Sequence, residues 1–350
     1  MTLSSRDPGE RLAALALSLV PGVGPVRYRE LTQRHLSVTA ALAASDAIQR
    51  EAATSAAGAA MERAARAGAR LLLHVDEEYP SAIRDLPDAP PCLFAQGDTA
   101  IASRPCVAIV GMRRSTISGE RVTRELAGAL ARAGACVVSG MARGIDGVAH
   151  RAALDAGGLT IAVLGTGIDI AYPVSHRPLH RQISERGLLL SEELPGDHAS
   201  AGSFPKRNRL IAALARVTIV VEAGSRSGAL ITASHALDLG RTVAAVPGPV
   251  DVPQNAGSNG LLRDGAAFIG DVTDALVLMG LSAPHRAHIR SQPTSAAQRA
   301  VWDALENGSL DMDSLAACCG LPASECLGAV TALELSGAVE CALTGEIRRL

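Results

Sequence analysis

The sequence contains a single lysine, Lys206, among 33 Lys and Arg residues; every other permanent positive charge is an arginine. Aromatic residues are also scarce, at 2% of 350 positions: one Trp, three Tyr and three Phe. That excludes a long base-stacking platform of successive rings. Leu, Val, Ile and Ala must pack the core instead. No apolar run reaches the roughly 18 residues of a membrane-spanning helix, so no membrane span is expected. None of the seven cysteines (Cys92, Cys106, Cys136, Cys318, Cys319, Cys326 and Cys341) belongs to a C-x-x-C pair, and no metal or disulfide framework is expected. A Walker loop is missing as well. Gly165-Thr166-Gly167 opens a dinucleotide fingerprint, but Ile170 stands where the third glycine belongs. The stretch Met1–Glu10 is polar and Leu12–Val20 lacks a basic start, so no secretory signal and a cytoplasmic location are expected. The formal net charge of −2 at pH 7 supplies no global field toward nucleic acid. Any such binding must come from a local patch.

At 48% hydrophobic, the chain can bury two or three domains. Residues 1–67 are expected to form an N-terminal helical domain. Arg11–Leu19 is a dense apolar helix, stopped by Pro21-Gly22-Val23-Gly24-Pro25, and Val26–His35 is a second. This pattern fits either a helix-hairpin-helix phosphate clamp or a plain tight turn. Residues 68–105 are expected to be a connector with short strands at 71–75 and 93–95. From Cys106 the pattern is regular, with apolar strands at 106–110, 135–138, 159–164, 188–190, 217–221 and 242–246. Helices fill the gaps, at about 118–133, 146–156, 176–186, 207–215 and 229–239. Nearly continuous apolar strands alternating with helices predict an α/β, doubly wound, mostly parallel Rossmann-like sheet over 106–280. Residues 281–295 resemble a linker. Three helices and a hairpin over 296–350 predict a winged helix.

In such a sheet the loops after the strands gather at one edge, where ligands bind. Gly111, Arg113 and Arg114 face a helix start near Ser118, a combination suited to phosphate. Ser139, Gly140, Arg143 and Gly144 form the next loop, with Asp146 expected to cap the following helix. Phe204, Lys206, Arg207, Asn208 and Arg209 are the sharpest feature. Positive charges at a helix start oppose its dipole unless an anion lies among them. Phe204 suits base stacking or the core. Ser227 and Gly228 suit a phosphate cradle or a simple cap. Glu222 ends a strand where a base could act. No Ser/His/Asp set or metal constellation is apparent, so no catalytic or metal residues are expected.

These segments, in order, resemble one family. They are Val107–Arg113 (VAIVGMR), Val138–Asp146 (VSGMARGID), Ala162–Gly165 (AVLG), Tyr172-Pro173, Phe204–Arg209 (FPKRNR), Ser227–Ala233 (SGALITA) and Ala245–Gly248 (AVPG). Together they resemble the DNA-processing protein A family (DprA, also called Smf). The resemblance implies a non-enzymatic, cofactor-free protein that binds single-stranded DNA entering by natural transformation in competent cells. It implies protection of that DNA, loading of the RecA recombinase and action as a homodimer. Carried over, it assigns DNA contacts to Arg113, Arg143, Lys206, Arg207, Asn208 and Arg209. Met112 departs from the family, which often has Ser there. Ala199–Ser203 is small and polar. The alternative is a Rossmann-like nucleotide-processing hydrolase using the loop Glu222–Gly228, which lacks the Pro-Gly-Gly-x-Gly-Thr pattern of such enzymes. In 296–350 the only basic residues are Arg299, Arg348 and Arg349, which disfavours a transcription regulator.

Overall fold

Seven parallel strands, built mostly from Val, Ile, Leu and Ala, run to one edge of a nine-stranded sheet whose other edge carries two antiparallel strands. The computed structural model describes residues 7–200, 202–282, 293, 295–306, 308–335, 338–341 and 345–349. The chain divides into two units, Met1–Ser282 and Ala283–Leu350.

The first unit opens with helices α1 (Pro8–Leu19), α2 (Pro25–Arg34), α3 (Val38–Ala43) and α4 (Ala47–Arg66). Helix α4 buries Ala53, Ala57, Ala60 and Ala64, one small-residue stripe at helical spacing. That stripe, with Leu15 and Leu17, shares a core with strand residues such as Leu71, Phe94 and Leu189. Strand β1 (Arg70–Leu73), the short α5 (Ser81–Arg84) and β2 (Cys92–Gly97) follow. Strand β2 pairs antiparallel with a later strand, and β1 with β2. Residues 68–105 therefore widen the sheet as well as connecting.

The parallel part then alternates as its apolar pattern predicts: β3 (Cys106–Val110), α6 (Ile117–Arg132), β4 (Cys136–Ser139), α7 (Ile145–Asp155), β5 (Leu159–Leu164), α8 (Arg177–Arg186) and β6 (Leu188–Ser191). Next come α9 (Ser203–Leu214), β7 (Val217–Val220), α10 (Gly228–Asp238), β8 (Thr242–Ala245), α11 (Ala256–Arg263), β9 (Ala267–Phe268) and α12 (Val272–Leu278). The sheet order is β1-β2-β6-β5-β4-β3-β7-β8-β9. The chain builds outward from β3 to β6, returns to lay β7 beside β3, and builds outward the other way. Strands β3 and β7 thus flank the topological switch point, where a crevice opens beyond the strand ends. The two-residue β9 is too short to have stood out as a strand in the sequence.

Helix α9 starts at Ser203, not near 207. Ser200 and Ser203 bond to each other's backbone N–H groups there, at 2.8 and 3.3 Å. Pro205 falls in the first turn, where its missing N–H is not needed. The basic run therefore lies within the helix and is distributed around it.

The second unit contains α13 (Ala296–Ala304), β10 (Leu310–Asp311), α14 (Met312–Cys319), α15 (Ala323–Leu335), β11 (Val339–Cys341) and β12 (Glu346–Arg349). Its sheet order is β10-β12-β11, and it has its own core around Val301, Leu315, Val330 and Ile347. It is a winged helix. The expected linker 281–295 lies largely outside the described residues. No single described helix is long and apolar enough to cross a membrane.

Candidate nucleic-acid interface

Two adjoining clefts open beyond the strand ends. The larger, of about 810 Å³, is lined by residues that include Arg113, Arg114, Arg207, Asn208, Arg226 and Ile231. The smaller, of about 350 Å³, is lined by residues that include Arg143, Gly140, Thr166 and Tyr172. Arg113, Arg114 and Phe204 belong to both. The Arg113 guanidinium lies 4.7 Å from the centre of the Phe204 ring. The Tyr172 and Phe204 rings lie 5.5 Å apart, tilted by 39°. Arg113, Arg114, Arg143 and Arg226 are exposed, and none makes an ion pair with a described carboxylate.

The clefts keep their shape through a buried polar frame. Gly144 has φ 71°, and a Cβ there would come within 2.3 Å of the Met112 carbonyl oxygen. Glycine is therefore required where the loops after β3 and β4 touch. Asp146 accepts from the Gly140 and Ala142 N–H groups at 3.1 and 3.4 Å. It ties down the loop before α7, while Gly144 occupies the cap position, which corrects the expected capping role of Asp146. Burial raises the Asp146 pKa, opposed by Arg207 and by those N–H donors. Arg207 donates to the Gly140 carbonyl at 2.7 Å and also to the Val163 carbonyl. Burial lowers its pKa to about 10, with Asp146 pulling the other way, so it stays charged at neutral pH. A Cβ on Gly140 would meet the Arg207 guanidinium at 2.5 Å.

Glu222 closes the frame on the other side. Its carboxylate accepts from Thr116 N at 2.9 Å and from Thr116 Oγ1, and is 4% exposed. A Cβ on Gly119 would collide with it at 2.4 Å, and one on Gly111 would meet Ile145 at 2.6 Å. Glu222 holds the start of α6 and is not poised as a base.

Helical periodicity divides the side chains of the expected site at 204–209 between two clefts. Phe204, Arg207 and Asn208 turn to the larger cleft. Lys206 and Arg209 line a different one, of about 520 Å³, that also holds Glu192, Glu193 and Asp88. There Arg209 pairs with Glu192 at 2.8 Å and Asp88 at 3.0 Å, and Lys206 lies 3.3 Å from Glu192. Of the five residues expected there, Lys206 and Arg209 pair with carboxylates, Arg207 donates to buried carbonyls, and Asn208 donates to the Gly228 carbonyl at 3.2 Å. Ser139 is buried and donates to the Ile109 carbonyl at 2.7 Å, so its hydroxyl is internal. Ser227 caps α10. Arg226 and Tyr172 were missed as site residues. Arg226 lies between two serines in an exposed loop, and Tyr172 is one of only three tyrosines.

A family model described as DNA recombination-mediator protein A matches residues 70–280, and one described as DprA winged helix domain matches 286–342. A relative from Mycobacterium tuberculosis named for DNA processing (DprA) is 38% identical over 356 residues, spanning 96% of this chain and 90% of its own. The Streptococcus pneumoniae DNA processing protein DprA is 41% identical over 206 residues, 58% of this chain and 71% of its own. The X-ray structure of DNA processing protein A from Streptococcus pneumoniae superposes with a TM-score of 0.67 at 30% identity, covering 79% of this chain and 98% of that one. A Helicobacter pylori DNA processing protein A structure, described for its single-stranded DNA binding mode, gives 0.56 at 32% identity, covering 61% and 97%.

Proposed function

Since this chain belongs to the DNA recombination-mediator protein A family, we propose that it binds single-stranded DNA in the two joined clefts, protects it, and loads the RecA recombinase onto it during natural transformation. One observation carries the binding step: four exposed arginines free of carboxylate partners ring clefts that share an aromatic pair. Arginine forks suit phosphate oxygens. The rings offer a stacking surface to unpaired bases. Duplex bases are stacked inward and cannot reach Phe204 or Tyr172, which favours a single strand.

In this assignment Arg113, Arg114, Arg143 and Arg226 contact phosphates. Gly111, Gly140 and Gly144 let the loops of the clefts pack against their neighbours, and Gly228 leaves open backbone beside them. The protein acts as a cytoplasmic homodimer without catalysis. A nucleotide hydrolase would need Glu222 free to take a proton, and Glu222 is instead engaged by Thr116. The test is fluorescence anisotropy with single- and double-stranded DNA of equal length across a salt series. A salt-dependent preference for the single strand supports the proposal, and equal binding removes it. RecA loading is tested by RecA-dependent strand exchange on DNA coated with single-strand binding protein. No stimulation there would leave a binding protein without the mediator role.

A further inference from the structure

The backbone turns left-handed at Met141, with φ 59°, two residues before Arg143. Residues other than glycine are disfavoured in that region, so the turn must be held by its neighbours. The Met141 side chain is buried in the core shared with the N-terminal helices. Asp146 accepts from the N–H groups on either side of it, and Arg207 holds the Gly140 carbonyl. The Met141 carbonyl is left for His176, whose Nδ1 lies 3.1 Å away. A carbonyl oxygen only accepts, so Nδ1 carries the proton. Burial lowers the His176 pKa, opposed by that hydrogen bond, and the ring is neutral at pH 7.

The same residue anchors a second wall of the smaller cleft. It closes the helical turn Val174–His176, and its backbone N–H donates to the Pro173 carbonyl at 2.8 Å. Tyr172 precedes that proline and leans on Phe204. The imidazole is seated on the first turn of α7. A Cβ on Gly147 would meet His176 Cε1 at 2.6 Å, so glycine there leaves room for the ring. His176 is buried and lines neither cleft. The loop that carries Arg143 and the turn that carries Tyr172 nevertheless meet on it. On the reading that a single strand binds in these clefts, we infer that His176 is a positioning residue: its ring holds the left-handed turn at Met141 and thereby sets Arg143 opposite the Tyr172 wall to receive a phosphate.

The test uses the full-length chain with His176→Ala, His176→Asn, Arg143→Ala, and His176→Ala combined with Arg143→Ala. Asparagine can place an amide N–H where the imidazole has its Nδ1–H. The first readout needs no DNA. Amide hydrogen exchange in peptides covering 139–147 should speed up about two- to tenfold in His176→Ala. It should stay near the parent rate in His176→Asn, and exchange in β3 and β7 should not change in either. The second readout is anisotropy with a labelled poly-pyrimidine strand across a salt series. His176→Ala should weaken binding and lower the logarithmic salt slope by about one, as Arg143→Ala does. His176→Asn should restore both. The double variant should bind within about twofold of Arg143→Ala alone, since a residue acting through Arg143 has nothing left to position. Faster exchange throughout the first unit would make His176 a general packing residue and overturn the inference. So would normal exchange or normal binding in His176→Ala, or a double variant whose losses simply add. An Arg143→Ala variant that binds like the parent defeats the DNA assignment of Arg143, and the inference falls with it; the exchange result shows which of the two has failed.

Discussion

Arg113 and Arg207 are both cleft arginines, yet they have opposite duties. Arg113 is exposed and leans on Phe204; Arg207 is buried and bonded to two carbonyls. Arg113→Ala combined with Arg143→Ala should leave stability nearly unchanged. It should weaken single-strand binding and flatten the logarithmic salt dependence by about one for each arginine that contacts a phosphate. Arg207→Ala should instead cost roughly 1–3 kcal/mol in a urea titration, because the buried Gly140 and Val163 carbonyls lose their donor. A normal urea midpoint for that variant would show that Arg207 is not part of the frame. His150 provides a residue-scale pH test. Its Nδ1 lies 2.6 Å from Thr160 Oγ1, which donates to the Val137 carbonyl. Burial lowers its pKa to about 3, helped by His176, Arg207 and Arg151. The unfolded chain therefore takes this proton more readily. The stability His150 contributes is present above about pH 6.5 and falls as pH drops toward 3, at up to about 1.4 kcal/mol per pH unit. His150→Asn, which keeps a donor toward Thr160, should lose less stability between pH 7 and pH 5 than the parent chain. Parallel losses would assign that acid sensitivity to other groups.

Helix α9 shows how an element sorts charges that the sequence lists together. Its run of basic residues is divided between two clefts, one face aromatic and open, the other acidic and already paired. Lys206→Ala should accordingly change single-strand affinity less than Arg113→Ala at the same salt concentration. An equal or larger loss would mean that DNA also follows the Glu192 side of α9. The positive charge near the start of α9 is therefore offset partly from within the protein. Glu192 and Asp88 supply the negative charge for Arg209, and carbonyl oxygens receive Arg207.

At the scale of the whole molecule, the two units have separate cores. The candidate DNA clefts lie wholly within the first unit, and the acidic winged helix is the second. Calorimetry should resolve two unfolding transitions. A chain ending at residue 282 should keep its single-strand affinity within about twofold, since the lost residues bring net negative charge and line neither cleft. Single-strand binding lost on truncation would place part of the DNA site in the winged helix.

The strand and helix alternation from 106 to 246 is legible in the amino-acid order, because buried parallel strands must be continuously apolar and the helices between them must not; α11 and β9 beyond it are not, since the stretch 255–260 is polar and β9 has two residues. The amino-acid order also marked the loops at the strand ends, where glycine and arginine recur at 111–114, 140–144 and 224–228. It placed Arg113, Arg114, Arg143, Arg207 and Arg209 alike at that edge. Only the tertiary structure decided which charges are free. Arg207 and Arg209 are chemically the same as Arg113 in one dimension. They differ because Gly140, Val163, Glu192 and Asp88, distant in sequence, meet them in space. The same holds for Glu222, whose partner Thr116 lies 106 positions away. Long-range partners carry no local sequence signal, so a side chain's duty could be assigned only once the sheet had brought them together.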